Sequence, residues 1–225
     1  MINAFCYGFG EDGWARHARL FFGAWRKHEP VLISSWNEPP SGVTLPPDFN
    51  APLPSLPGVG LGPIEFMPTV SGTRRIAYVV WETTILPPDK VQILKAMDEI
   101  WVPSSWGRRL FIDNGIPEDM VHIVPEGVDV QKFRPQAEPR EEGRPFRFLF
   151  IGKWEVRKGV DLLIKAYRQE FRRNEPVELV LHAFNPYIGG FNLEATLKRA
   201  VRWRRTPPIV LSRPLSEDGL VRLYN

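Results

Sequence analysis

The stretch FLFIGKWEVRKGVDLL, residues 148–163, contains an apolar run, a glycine followed by two spaced lysines, and the start of an amphipathic repeat. The run from Phe148 to Ile151 is continuously apolar, which is typical of a strand covered on both faces of a parallel sheet. The apolar positions from Val160 onward recur with helical spacing. The stretch therefore predicts a strand, a short loop and a helix, which is the repeating element of parallel α/β folds.

The same alternation of strand-like and helix-like segments extends along the whole chain. The predicted strands are Asn3–Tyr7, Pro30–Trp36, Arg75–Trp81, Glu99–Pro103, Val121–Val124, Phe146–Ile151, Glu178–Ala183 and Ile209–Leu211. The predicted helices are Trp14–Lys27, Lys90–Met97, Trp106–Asn114, Gly159–Phe171 and Leu193–Trp203. This order predicts an α/β protein with doubly wound parallel sheets.

Composition and charge narrow the class of protein. The chain has 225 residues, 43% hydrophobic residues and a formal net charge of +3, which fits one or two globular domains and argues against a disordered chain. Cys6 is the single cysteine and the four histidines are scattered, so we expect neither an intrachain disulfide nor a metal site. We find no leader-like start and no apolar run of membrane-spanning length, so we expect a cytoplasmic protein.

Two segments interrupt the alternation. Residues Pro39 to Pro68 contain nine prolines and four glycines, too many for regular strand pairing, and predict an extended loop that is either ordered or flexible. Residues Arg134 to Pro145 are charged and contain proline, and a new apolar strand begins at Phe146. This second segment predicts an interdomain linker.

A glycine-containing loop follows the first predicted strand. Gly8, Gly10 and Gly13 fit the spacing GxGxxG, but no acidic residue ends the second predicted strand, which argues against a dinucleotide site. Two interpretations stay open. The glycines let the backbone approach a ligand at the helix start, or they form a tight turn that packing requires.

Lys153 and Lys158 flank the loop that leads into the helix at Gly159. Two ammonium groups beside a helix N-terminus can bind a diphosphate. The alternative is a charged loop whose lysines only face water.

Two motifs together resemble the GT-B glycosyltransferases of group 1, or family 4. Val124-Pro125-Glu126-Gly127-Val128-Asp129, followed by Phe133-Arg134-Pro135, is similar to the family's P-x-G-V-D and F-x-P motifs. Residues 148–163 are similar to its F-x-G-R and K-G-x-D-x-L signature. The resemblance implies two Rossmann-like domains of GT-B type, with an N-terminal acceptor-side domain at residues 1–136, a linker at 137–145 and a nucleotide-sugar-binding domain at 146–225.

The resemblance also implies roles for particular residues. Lys158 matches the family's lysine and Lys153 stands where the family usually has arginine, the pair that binds the diphosphate of a nucleotide-sugar donor. Gly10 and Gly13 would face the same cleft, and Glu82 would lie on the acceptor side, unless it only caps a helix or loop. The implied activity is retaining transfer of a hexose to a saccharide or lipid-linked hydroxyl, without a metal or other cofactor.

The resemblance further implies that the second domain continues beyond Asn225 and is incomplete here. We therefore expect the 225 residues by themselves to be inactive in sugar transfer. The alternative is a noncatalytic homologue that binds a nucleotide or a partner protein.

The basic stretch Lys198 to Arg205 includes Trp203. A solvated helix end explains it, and an anionic membrane surface or nucleic acid are the other interpretations. We expect no nucleic-acid binding, and a peripheral association with the inner face of the membrane stays open.

Overall fold

The computed structural model describes residues 1–10, 13–42, 44–135, 143–172, 175–185, 188–190, 192–200, 208–211 and 215–225, with only the backbone of 198–200. The chain divides into two compact units, Met1–Val128 and Asp129–Asn225. Each unit contains a parallel sheet with helices packed on it. The predicted α/β class with parallel sheets is therefore confirmed.

The first unit has a six-stranded parallel sheet in the order β2-β1-β3-β4-β5-β6. The strands are β1 (Ile2–Cys6), β2 (Val31–Ser35), β3 (Gly58–Leu61), β4 (Arg75–Tyr78), β5 (Glu99–Val102) and β6 (Val121–Ile123). Strand β2 pairs with one side of β1 and β3 pairs with the other, so the winding reverses between β1 and β3. In open α/β sheets, ligands gather outside the carboxyl ends of the strands at such a reversal.

Helices cover both faces of this sheet. They are α1 (Gly13–Trp25), α2 (Pro88–Lys95) and α3 (Ser105–Asp113). Ala18 and Phe22 of α1 join the core on one face, whereas Leu94 of α2 and Phe111 of α3 join the core on the other. Burial on both faces explains why the strands are apolar without alternation.

The prediction that residues 39–68 contain no regular strand is wrong. Gly58–Leu61 forms β3 in the middle of the sheet, between β1 and β4. Pro57 and Pro63 lie outside the strand, so all four strand residues keep the backbone N–H that pairing requires. The prolines therefore flank the strand instead of interrupting it.

The earlier part of the same segment covers the outer edge of β2. The amide of Ile33 donates to the Asp48 carbonyl (2.6 Å), and the amide of Asn50 donates to the Ile33 carbonyl (3.2 Å). Buried Asn3 in β1 fixes the segment further, because its side-chain amide donates to the Leu53 carbonyl and accepts from the Leu53 amide, at 2.8 and 2.9 Å. The segment thus protects an edge strand that would otherwise expose unpaired backbone groups.

The second unit has a three-stranded parallel sheet in the order β7-β8-β9. Its elements are β7 (Phe146–Lys153), α4 (Val160–Glu170), β8 (Val177–Phe184), α5 (Leu193–Ala200), β9 (Ile209–Leu211) and α6 (Glu217–Tyr224). Ile164 and Tyr167 of α4 pack with Leu181 of β8 and Leu197 of α5 in one core. Both α4 and α5 therefore cover the same face of this sheet.

Residues 129–135 lie with the second unit, whereas the sequence analysis grouped residues up to 136 with the first domain. The Lys132 ammonium lies 2.5 Å from a carboxylate oxygen of Glu217, and the rings of Phe133 and Tyr224 are 6.1 Å apart. Residues 136–142 of the predicted linker lie outside the described residues. In the basic stretch 198–205, so do residues 201–205 and the side chains of 198–200.

All eight strands predicted from the sequence are present, with ends that shift by at most three residues. The described helices include none that is both long enough and apolar enough to cross a membrane.

Candidate functional site

The two lysines predicted to bind a diphosphate lie at the end of β7 and in the loop between β7 and α4. Lys153 is the last residue of β7 and is half-buried, and Lys158 is exposed and ends a short 3-10 turn, Val156–Lys158. Gly159 follows, and α4 begins at Val160. Both lysines therefore lie at the carboxyl edge of the second sheet, close to a helix N-terminus.

The loop has a defined backbone shape. The amide of Lys158 donates to the Glu155 carbonyl and the amide of Gly159 donates to the Val156 carbonyl, both at 3.0 Å. Gly159 has φ of +66°, a left-handed conformation that residues with a Cβ rarely adopt. The glycine turns the chain so that the first-turn amides of α4 face the loop side of the helix.

A neighbouring strand end anchors this loop. The amide of Trp154 donates to the Phe184 carbonyl at 2.7 Å, and the side-chain amide of Asn185 donates to the Trp154 carbonyl at 3.0 Å. The β7–β8 pairing thus continues for one residue beyond the strand. Sequence reasoning missed Asn185, because nothing in its local sequence connects it to a loop about thirty residues earlier.

The charge of the loop is net positive. Glu155 is engaged by Arg157, whose Nε lies 3.2 Å from Oε2, whereas Lys158 forms no ion pair with any described residue. Successive side chains of a strand point to opposite faces of the sheet. Phe148, Phe150 and Trp154 pack in the core beneath α4, so Lys153, at an odd-numbered position, leaves the sheet on the other face. The two lysines therefore approach the edge from different sides, and the structure shows no contact between them.

The glycine loop of the first unit follows β1, as predicted. Gly10 is exposed with φ of +115°, and Gly13 is the first residue of α1, where an added Cβ would meet nothing within 4 Å. Packing leaves no room for a side chain at Gly8, because a Cβ there would lie 2.7 Å from the Phe49 ring and 2.9 Å from Ser35 Oγ. The packing interpretation therefore applies to Gly8, whereas Gly10 has a positive φ that favours glycine.

Polar side chains at the end of β2 and just after it hold this loop. Ser35 Oγ accepts from the Gly8 amide at 3.1 Å, and the Asn37 side chain both accepts from the Phe9 amide at 3.2 Å and donates to the Phe9 carbonyl at 2.6 Å. Two amides of the loop are thus already used by the protein itself. The carbonyl of Gly10 is also engaged, because the Arg19 guanidinium donates to it.

Glu82 is exposed and follows β4, at the same carboxyl edge of the first sheet as the glycine loop. The indole N–H of Trp81 donates to Thr83 Oγ1 and to the Ile85 carbonyl, both at 2.9 Å, and these bonds hold the turn that contains Glu82. Gly10, Gly13 and Glu82 thus share one edge of the first unit, and Lys153 and Lys158 share one edge of the second.

A cluster of ionisable side chains, formed by partly buried His17, exposed Glu126 and buried Tyr78, lies beside the glycine loop and was missed by sequence reasoning. His17, one turn into α1, has Nδ1 3.5 Å from Glu126 Oε1, and its Nε2 is buried without a hydrogen-bond partner among the described residues. Burial lowers the pKa of His17, and the Glu126 carboxylate opposes that shift. The ring lies 5.0 Å from that of Tyr78, whose hydroxyl donates to the Val124 carbonyl and whose pKa burial raises to about 12.

An open depression of about 710 Å³ lies along β6, lined by Arg108, Glu118, Asp119, Val121, His122 and Ile123. Arg108 is paired there with Glu118 at 2.8 Å. The residues that line it do not include any of the candidate site residues Gly10, Gly13, Glu82, Lys153 and Lys158. Within the described part of the chain, no group of three or more His, Cys, Asp or Glu side chains is placed to hold a metal ion.

Comparison of the chain with protein-family models and with curated proteins gives no match.

Proposed function

We propose that this chain belongs to a GT-B glycosyltransferase that transfers a hexose from a nucleotide diphosphate sugar to a hydroxyl of a saccharide or lipid-linked acceptor. The observation that carries the proposal is the β7–α4 loop, with Lys158 exposed at the start of an 11-residue helix and Lys153 at the end of the adjoining strand. The resemblance of residues 148–163 to the family signature supports the same assignment.

The chemical demand is stabilisation of the diphosphate as the glycosidic bond to it breaks. Negative charge accumulates on the leaving oxygens, and fixed cations with oriented amides lower the free energy of that state. Lys158 and the first-turn amides of α4 would contact these oxygens, and Lys153 would add charge from the other side of the strand end. We propose that these protein cations do so without a metal.

In the first unit, the acceptor would bind at the carboxyl edge that carries Gly10, Gly13 and Glu82. An exposed carboxylate there can accept a hydrogen bond from an acceptor hydroxyl. The reversal of strand order between β1 and β3 supports this location, because ligands of open α/β sheets bind there. The transfer would retain the anomeric configuration of the hexose.

Calorimetry with inorganic pyrophosphate and with uridine diphosphate tests the diphosphate site on the 225-residue chain. We expect Lys158→Ala to weaken both ligands by about 1–3 kcal/mol, the usual range for loss of a charge-assisted contact. Lys153→Ala should weaken them less, because a lysine lacks the bidentate fork of the family's arginine. Lys165→Ala is the matched control, since Lys165 is an exposed lysine within α4. Unchanged affinity in both test variants, or no binding by the unmodified chain, would contradict the proposed site.

A further inference from the structure

The cationic edge of the second sheet is also strongly apolar. Val156 in the β7–α4 loop is 90% exposed, Leu162 in the first turn of α4 is 66% exposed, and Phe184 at the end of β8 is 42% exposed. Single exposed apolar side chains are ordinary, but Phe184 differs from the other two because it leaves the sheet on the same face as Lys153. A ligand that carries only a diphosphate would leave the exposed part of the Phe184 ring in contact with water.

Of these three apolar residues, Phe184 is the one paired with a lysine that is predicted to bind the diphosphate. Its Cα is the register partner of Lys153 Cα at the end of the β7–β8 pairing. Side chains at paired positions of neighbouring strands leave the sheet on the same face, with backbones about 5 Å apart. An aromatic side chain and a lysine side chain therefore leave the sheet from neighbouring positions on the same face at the carboxyl edge.

The ring of Phe184 has no aromatic partner among the described residues. Phe146 is the useful comparison, because it is a phenylalanine of similar exposure, 51%, at the opposite end of the neighbouring strand. The Phe146 ring packs against that of Phe148 at 5.0 Å, so its exposed part belongs to a local aromatic pair. The exposed 42% of Phe184 belongs to no such aromatic pair among the described residues, and it lies at the strand end that carries Lys153.

We infer that Phe184 stacks on the base of the nucleotide, with the diphosphate of the same ligand at Lys153 and Lys158. This inference rests on the proposed function, because it assigns a specificity-determining contact to the same donor. A planar base matches an exposed phenyl ring, and the attached diphosphate matches the neighbouring cations. Stacking tolerates any base, so Phe184 selects a nucleotide over a bare diphosphate.

The experiment compares inorganic pyrophosphate with uridine, adenosine and guanosine diphosphates by calorimetry on the 225-residue chain. We expect at least one nucleoside diphosphate to bind the unmodified chain more tightly than pyrophosphate. Phe184→Ala should weaken that nucleotide by about 5- to 150-fold, the range for loss of one stacked base, and leave pyrophosphate unchanged. Phe184→Trp should retain the affinity, and Phe146→Ala, the matched control, should change neither ligand.

The outcomes separate this inference from the proposed function. If neither pyrophosphate nor any nucleotide binds the unmodified chain, the diphosphate site itself is wrong and the inference falls with it. If pyrophosphate binds and every nucleotide binds no more tightly, or if Phe184→Ala weakens pyrophosphate as much as the nucleotide, the diphosphate site stands and the stacking role is overturned. Urea unfolding of each variant verifies that a loss of binding is not a loss of folded protein.

Discussion

His17 shows how a single partly buried residue makes stability depend on pH. Its side chain is 16% exposed, Nε2 has no hydrogen-bond partner among the described residues, and burial lowers the pKa of the imidazole below its ordinary 6.5. The folded protein therefore binds this proton less readily than the unfolded chain does. The stability that neutral His17 contributes is complete above about pH 6.5 and is lost as pH falls through the lowered folded-state pKa.

We predict that His17→Gln makes the free energy of unfolding less dependent on pH between about pH 7.5 and 5, because glutamine has no proton to bind in that range. Urea unfolding monitored by fluorescence at several pH values measures the slope. His28→Gln is the control, since His28 is exposed just beyond the end of α1 and should keep the slope of the unmodified protein. An unchanged slope in His17→Gln would show that the buried imidazole is not coupled to folding.

At the scale of one element, β3 depends on glycines for close packing. A Cβ on Gly58 would lie 2.2 Å from the backbone carbonyl oxygen of Ser71, and a Cβ on Gly60 would lie 2.5 Å from a methyl group of Val70. A flexible side chain can move away, whereas a backbone carbonyl held in a neighbouring segment cannot. Gly58 is therefore the position of β3 least able to accept a side chain.

We predict that Gly58→Ala destabilises the first unit by about 1–3 kcal/mol or more, the range for overpacking a buried site. Gly23→Ala is a matched substitution within α1, where an added Cβ meets nothing within 4 Å. It should stabilise the protein by about 0.5–1 kcal/mol, because alanine is the better helix former. The midpoints of urea unfolding compare the two, and equal midpoints would refute the packing argument.

For the whole molecule, we expect the second unit to open before the first. In β4, Ile76, Ala77 and Tyr78 are buried, whereas none of the eight residues of β7 is buried. Less apolar surface is removed from water around β7, so less free energy holds it closed.

Native-state hydrogen exchange tests this difference between the units. Amides from Phe148 to Ile151 should exchange at a lower opening free energy than those from Ile76 to Tyr78. The remaining strands of each sheet serve as internal references. Equal protection of the two strands would mean that the units unfold together.

Much of the fold was predictable because its signals are local. Eight strands appear as short apolar runs, since a strand covered on both faces is apolar throughout, and five helices appear as amphipathic repeats between them. The positions of Lys153 and Lys158 at a strand end and before a helix follow from one continuous stretch of sequence. The sequence by itself therefore determined the α/β class, the parallel character of the sheets and the cationic loop.

Only the tertiary structure decided which distant segments meet. Gly58–Leu61 is too short and too glycine-rich to be recognised as a strand, and it pairs because β1 and β4 offer backbone partners on both sides. Asn37 holds the glycine loop from 28 residues away, and Asn185 holds the cationic loop from 31 residues away. Periodicity and propensity report the neighbours of a residue along the chain, whereas these contacts depend on strand order and register, which bring remote residues to the same edge of a sheet.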